Sequence, residues 1–186
     1  MFIQTEETPN PATLKFLPGT TVISEGSANF RSIETAEKSP LALALFEISG
    51  VTNVFLGEDF IAITKDETKD WQVIKPSLLG VIMEHFTAHR PVMLDNVVEA
   101  TPNSTFEDED EIVSQIKELL HTRVRPAVAQ DGGDIVFENF EDGVVTLQMR
   151  GACAGCPSSS ATLKMGVENL LRHYIPEVKE VRESLM

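Results

Sequence analysis

The sequence predicts an α+β protein: two small α+β domains joined by a flexible linker. Three observations lead there. The chain has 186 residues, long for one small domain and comfortable for two. Short strand-like runs and segments of helical period occur in both halves. One stretch between them, EATPNSTFEDEDE from Glu99 to Glu111, breaks the apolar pattern. The boundaries read as a first domain over 1–98, a linker over 99–108 and a second domain over 109–186.

In the first domain, IQTEE and TLKFL read as strands around the turn TPNP. Ser39-Pro40 opens a helix over Leu41–Ile48, with serine as N-cap and proline in the first turn, and Gly50 ends it. VTNVFL and FIAIT form a hairpin around Gly57-Glu58-Asp59. A longer helix runs from about Asp70 to Ala88, because Trp71, Ile74, Leu78, Ile82 and Phe86 recur at helical spacing. Pro76 lies inside it and marks an expected break or kink.

The acids that close the linker open a helix, where negative side chains face its positive end. Ile112, Ile116, Leu119 and Leu120 give it an apolar face, and Pro126 kinks or restarts it. Asp131-Gly132-Gly133-Asp134 reads as a turn that needs positive φ. It lacks the lysine of a phosphate loop and the length of a calcium loop. IVFENF and VVTLQM are strands joined by Glu141-Asp142-Gly143, with Val145, Leu147 and Met149 on one face. After the cysteines, Pro157 starts a helix with Leu163, Val167, Leu170, Leu171 and Tyr174 on one side. Pro176 stops it, and VKEV is a last strand. The second domain is thus helix–strand–strand–CxxC–helix–strand. The halves share a rough pattern of hairpin and helix, without identity that would make a repeat.

The net charge is −14, with seven basic and fourteen acidic residues up to residue 104, eight and fifteen beyond it. Neither half carries the basic patch that phosphate backbones require, so a nucleic-acid role is excluded. The longest apolar run, LALALF, falls far short of the roughly 18 residues that cross a bilayer. No membrane partner is expected. MFIQTEETPN has no basic n-region or apolar h-region and is acidic where a transit peptide is Arg-rich. The expectation is a soluble cytosolic protein or a processed organellar one.

The chemistry concentrates at GACAGCPSSS, residues 151–160, which holds both of the chain's cysteines, Cys153 and Cys156. Two cysteines do not make a disulfide scaffold. Cys153 follows a strand. Cys156 precedes a helix, where backbone N–H groups and the dipole favour the thiolate that binds metal. Ala152, Ala154 and Gly155 leave room for a bulky inorganic ligand, and Ser158, Ser159 and Ser160 offer hydroxyl donors. A [4Fe-4S] cluster usually takes four thiolates. A two-fold dimer that apposes two such loops supplies all four, and separating the subunits gives a route to release. Zinc across a dimer and thioredoxin-like exchange use the same spacing. Iron–sulfur, zinc and redox chemistry stay open on these residues, although the βαβ opening that precedes a thioredoxin CxxC is absent. Neither thiol is expected to be needed for the core.

His85 and His89 stand i,i+4 near the end of the long helix, a spacing that can chelate but here reads as an ordinary helix face. His121 and His173 read as structural or surface residues. Arg150 either offsets the charge of the cysteine loop or is a solvated strand end. No nucleophile–base constellation and no nucleotide fingerprint occurs.

From Arg125 to Val181 the chain resembles the NifU-type C-terminal domain, with GACAGCPSS followed by TLK, G-x-E and PEV. The opening, MFIQTEETPNPATLKFLPG, is similar to the Nfu N-terminal domain. The two blocks occur in the family's order and cover nearly the whole chain apart from the linker. The resemblance implies an iron–sulfur cluster carrier, not an enzyme, of the kind found in the bacterial cytoplasm or, once processed, the mitochondrial matrix. It implies a [4Fe-4S] cluster bridging a homodimer, with Cys153 and Cys156 as ligands. The cluster would come from an upstream scaffold and pass to apo-proteins such as lipoyl synthase or aconitase types. The desulfurase-docking and ferredoxin-like domains of longer NifU proteins have no match here, so transfer is expected rather than de novo assembly. The competing class is a CxxC thiol-disulfide oxidoreductase.

Overall fold

The computed structural model describes residues 1–94, 111–154 and 157–184, with the side chains of 157–159 outside that set. The chain divides into two compact units, Met1–Thr101 and Pro102–Met186. The expected linker over 99–108 lies outside the described residues.

The first unit is an antiparallel sheet of five strands in the order β1-β2-β5-β4-β3. The strands are β1 Gln4–Glu7, β2 Thr13–Leu17, β3 Ala28–Phe30, β4 Val51–Leu56 and β5 Ile61–Lys65. Register sets the core. Phe16 and Leu56 both pair with Ile61, and Leu14 and Val54 both pair with Ile63, which puts all six on one face. Helices α1 (Pro40–Phe46) and α2 (Trp71–Thr87) cover that face with Leu41, Leu45, Ile74, Leu78 and Ile82, all buried.

Local chemistry fixes both helix starts. Ser39 Oγ accepts from Ala42 N at 3.1 Å and donates to the Val92 carbonyl at 2.6 Å. The Asp70 carboxylate accepts from Gln72 N at 2.9 Å. The opposite sheet face carries the cross-strand row Glu6, Lys15, Ala62, Phe55 and Asn29. Lys15 is buried there because it meets Glu6 at 3.5 Å and lies 4.9 Å over the Phe60 ring.

Two details differ from expectation. Strand β3 follows no visible pattern, since three residues are too few for a period to show. Helix α2 runs through Pro76 without a break. Pro76 and Gln72 are both exposed, so water can take the Gln72 carbonyl that the missing N–H leaves unpaired.

The second unit packs α3 (Glu111–Leu119) and α4 (Arg125–Gln130) with a three-stranded sheet, β6 Gly133–Glu141, β7 Val144–Gly151 and β8 Glu180–Glu183. A widened π turn over Leu120–Val124 separates the helices, and Pro126 restarts the coil as α4. β6 and β7 form the hairpin, while β8 joins β7 in parallel. That parallel pairing requires a crossover, supplied by α5 (Pro157–Tyr174). The strict alternation of β7 buries Val145, Leu147, Met149 and Gly151. Val145, Leu147 and Met149 join Ile116, Leu120, Val128, Ile135, Val167, Leu171 and Val181 in one core. β8 starts two residues later than VKEV suggests: Lys179 and Glu180 first donate to the Gly143 carbonyl, and pairing begins only at Glu180.

Candidate functional site

The candidate site forms where β7 ends. Gly151 pairs with Gly133 at the start of β6 and turns with φ +64°. Ala152 N then donates to the Gly132 carbonyl, and Ala154 N to the Gly151 carbonyl, both at 3.1 Å. These bonds fold the chain back over the Asp131–Asp134 turn and drive Cys153 inward.

Cys153 is 6% exposed and belongs to the hydrophobic core of the second unit. The expectation that neither thiol is needed for the core thus meets a Cys153 that is one of the core's buried members. Its thiol is pushed up to about 12, first by burial and then by the negative charge of Asp131, Asp134 and Glu183. Cys156 lies outside the described residues, immediately before α5, and so do the side chains of Ser158 and Ser159.

Of the expected turn over Asp131–Asp134, Asp131 and Gly132 form the turn, with Gly132 at φ +76°, while Gly133 and Asp134 already pair as the start of β6. Its neighbour was not foreseen: a side-chain carbon on Gly133 would run into Cys153 Sγ. Arg125, the first residue of α4, holds the turn from behind. Its Nε and Nη2 donate to the two oxygens of the buried Asp134 at 2.8 and 2.9 Å, and Asp134 Oδ1 also accepts from Ile135 N at 2.9 Å. The available signal was the second glycine of Gly132-Gly133, since one positive-φ residue suffices for the turn.

The other candidates separate. Arg150 donates from Nε and Nη2 to Gln148 Oε1 at 2.9 and 2.7 Å, on the outer face of β7. His85 and His89 share no helix face: His89 lies beyond the end of α2 at φ +52°. His85 points into the first core, where burial lowers its pKa and its Nε2 is buried without a partner. His173 lies edge-on to Tyr174 at 5.0 Å. Among the described residues no group of three or more metal-binding side chains occurs, and no helix is long and apolar enough to cross a membrane.

Two family models match the chain. Residues 3–89 match the scaffold protein Nfu/NifU N-terminal domain, and residues 116–182 match the NifU-like domain. A curated relative from Drosophila ananassae, the mitochondrial "NFU1 iron-sulfur cluster scaffold homolog", is 52% identical over 98% of the chain and 64% of its own length. "NifU-like protein 5, mitochondrial" from Arabidopsis thaliana is 49% identical over 99% of the chain and 68% of its own length. The chain thus spans about two thirds of the length of these relatives. A solution structure of a NifU-like protein from Saccharomyces cerevisiae aligns with 50% of the chain and 85% of its own, at 27% identity and TM-score 0.46.

Proposed function

We propose, from the premise that this chain belongs to the Nfu family of NifU-like scaffold proteins, that it carries an iron–sulfur cluster as cargo. The observation that carries the reading is the placement of CxxC in the NifU-like domain, between the end of a core strand and the first residue of α5. The cargo is a [4Fe-4S] cluster shared by two copies, each giving Cys153 and Cys156. Four thiolates are needed and each chain has two cysteines. The protein takes the cluster from an upstream scaffold and delivers it to apo-proteins, of which lipoyl synthase and aconitase types are the candidates, without being an enzyme itself. The working compartment is the mitochondrial matrix or, for a bacterial chain, the cytoplasm. The domain over 109–186 holds the cluster, the linker over 99–108 tethers it, and the domain over 1–98 recognises partners.

The domain context favours this reading over the oxidoreductase alternative. Any thiol reaction needs a thiolate, whether exchange or ligation, so what favours the carrier is that this CxxC lies in a domain matching the NifU-like model. Anaerobic reconstitution with iron and sulfide counts and native mass tests the proposal. The expected result is a brown dimer with four iron and four sulfide, and a mostly monomeric protein before loading, because a ligand that binds only the dimer stabilises it. A colourless protein that turns over a disulfide substrate would refute the carrier reading. A monomer with a full cluster would refute the bridging arrangement.

A further inference from the structure

Gly133 is glycine for a reason other than backbone freedom. Its φ lies outside the left-handed region, so any residue could adopt its conformation. What excludes a side chain is space. A methyl there would overlap Cys153 Sγ and stand 3.1 Å from both the Arg150 carbonyl oxygen and Cys153 N. The volume a Cβ would fill is taken by the thiol. The Ala152–Gly132 hydrogen bond closes the niche, and the Arg125–Asp134 pair fixes the turn behind it.

A cluster bridging two copies cannot reach a sulfur in this position, because Cys153 is 6% exposed and faces its own core. We propose that Gly133 is a positioning residue for cluster exchange: it makes the niche in which the Cys153 thiol is stowed while the chain is empty, and capture draws the thiol out. The inference rests on the reading of Cys153 as a ligand. On capture the Cys153 sulfur binds an iron as one thiolate of the donor scaffold leaves it, and the S–H proton passes through water to that departing thiolate, so one iron–sulfur bond forms as one breaks with no change of oxidation state. Two consequences follow. A stowed fraction lowers the apparent affinity in proportion to the competent fraction, which suits a protein that must give its cargo away. The empty carrier also shields its thiol from alkylation and oxidation after delivery.

The test uses the full-length, cluster-free chain in a Cys156→Ser background, so that Cys153 is the one thiol, with N-ethylmaleimide labelling followed by intact mass. Gly133→Ala should raise the labelling rate about tenfold or more, because access limits the reaction. An unchanged rate in a folded Gly133→Ala protein overturns the niche. Should that variant lose the cooperative unfolding of the second unit, Gly133→Ala with Cys153→Ala must restore it by removing the sulfur. Failure to restore it also overturns the niche. With both cysteines present, a reconstituted Gly133→Ala protein should lose iron to a chelator more slowly than the parent, and equal or faster loss overturns the role in exchange. The ligand reading fails separately: a Cys153→Ser chain that keeps a full cluster would defeat it whatever the labelling and rescue results.

Discussion

The two units differ in what completes their cores. In the first, hydrocarbon closes the space between a five-stranded sheet and two helices, from Phe16 and Ile61 to Leu45 and Leu78. Among its buried polar residues is His85, on α2. In the second, a three-stranded sheet and its helices enclose the core, and a thiol is one of the buried groups. Chemistry and packing are therefore separable in the first unit. In the second the proposed ligand Cys153 is also a core residue, so a single change there is expected to touch both stability and cargo.

Cys153→Ser gives the largest effect and tests that overlap directly. In a symmetric dimer it removes two of four ligands, so stable cluster binding should vanish, as it should for Cys156→Ser. Cys153→Ser also leaves a hydroxyl in an apolar site, at about 1–3 kcal/mol to the second unit. The single Trp71 reports the first unit and the single Tyr174 the second, which allows each transition to be followed separately. Iron and sulfide counts together with the two melts decide the matter. A full cluster removes the ligand role, and an unchanged Tyr174 melt removes the packing role.

Leu147→Ala sharpens the contrast from the other side. Leu147 is fully buried, and its truncation should destabilise the second unit by about 2–5 kcal/mol. Leu45→Ala, equally buried, should do the same to the first unit. Each variant should shift only its own probe in a denaturant melt. If Leu45→Ala lowered the Tyr174 transition as much as the Trp71 one, the units would not unfold independently.

The fold was largely legible because its signals are local. The Ser39-Pro40 cap, the Asp70 cap, the alternation of Val145, Leu147 and Met149, and the Pro126 restart each need only a few neighbouring residues. Strand β3 was not legible, because Ala28–Phe30 is a strand only by pairing with β4 more than twenty residues on. The site divides in the same way. The location of Cys153 after a strand could be read from spacing. Its burial could not, because that depends on the Gly133–Gly151 pairing, a contact across the whole β6–β7 hairpin. The reading of His85 and His89 as one ordinary helix face failed for a related reason: the helix ends at Thr87, two residues before His89.

A smaller, kinetic effect tests whether the units divide the labour. A fragment over 105–186 should assemble a cluster but transfer it several-fold more slowly, or less selectively, to a cognate apo-protein. The first domain would no longer raise the effective concentration of the partner. The comparison is a transfer assay at matched cluster concentration. Equal rates and selectivity across several clients would defeat the recognition role, and a fragment unable to hold any cluster would defeat the proposed division.

The smallest effect is in pH, and it should have opposite signs in the two units of the empty chain. Burial lowers the pKa of His85, with the positive Arg90 nearby acting the same way, although backbone carbonyls at Arg90 and Pro91 pull it back. Below about pH 6.5 the unfolded chain binds the proton more readily than the folded one, so the first unit loses stability as pH falls from there toward the lowered folded value. Cys153 behaves in reverse. Its folded value of about 12 exceeds the ordinary thiol value of 9.0, so the unfolded state releases the proton first, and the second unit loses stability as pH rises between the two. Each slope is at most that of one proton, small beside the loss of a core leucine. His85→Gln should flatten the acid slope of the Trp71 melt without changing the alkaline slope of the Tyr174 melt, and Cys153→Ala should do the opposite. An acid slope that survived His85→Gln would place the titrating group elsewhere in the first unit and dissolve the contrast.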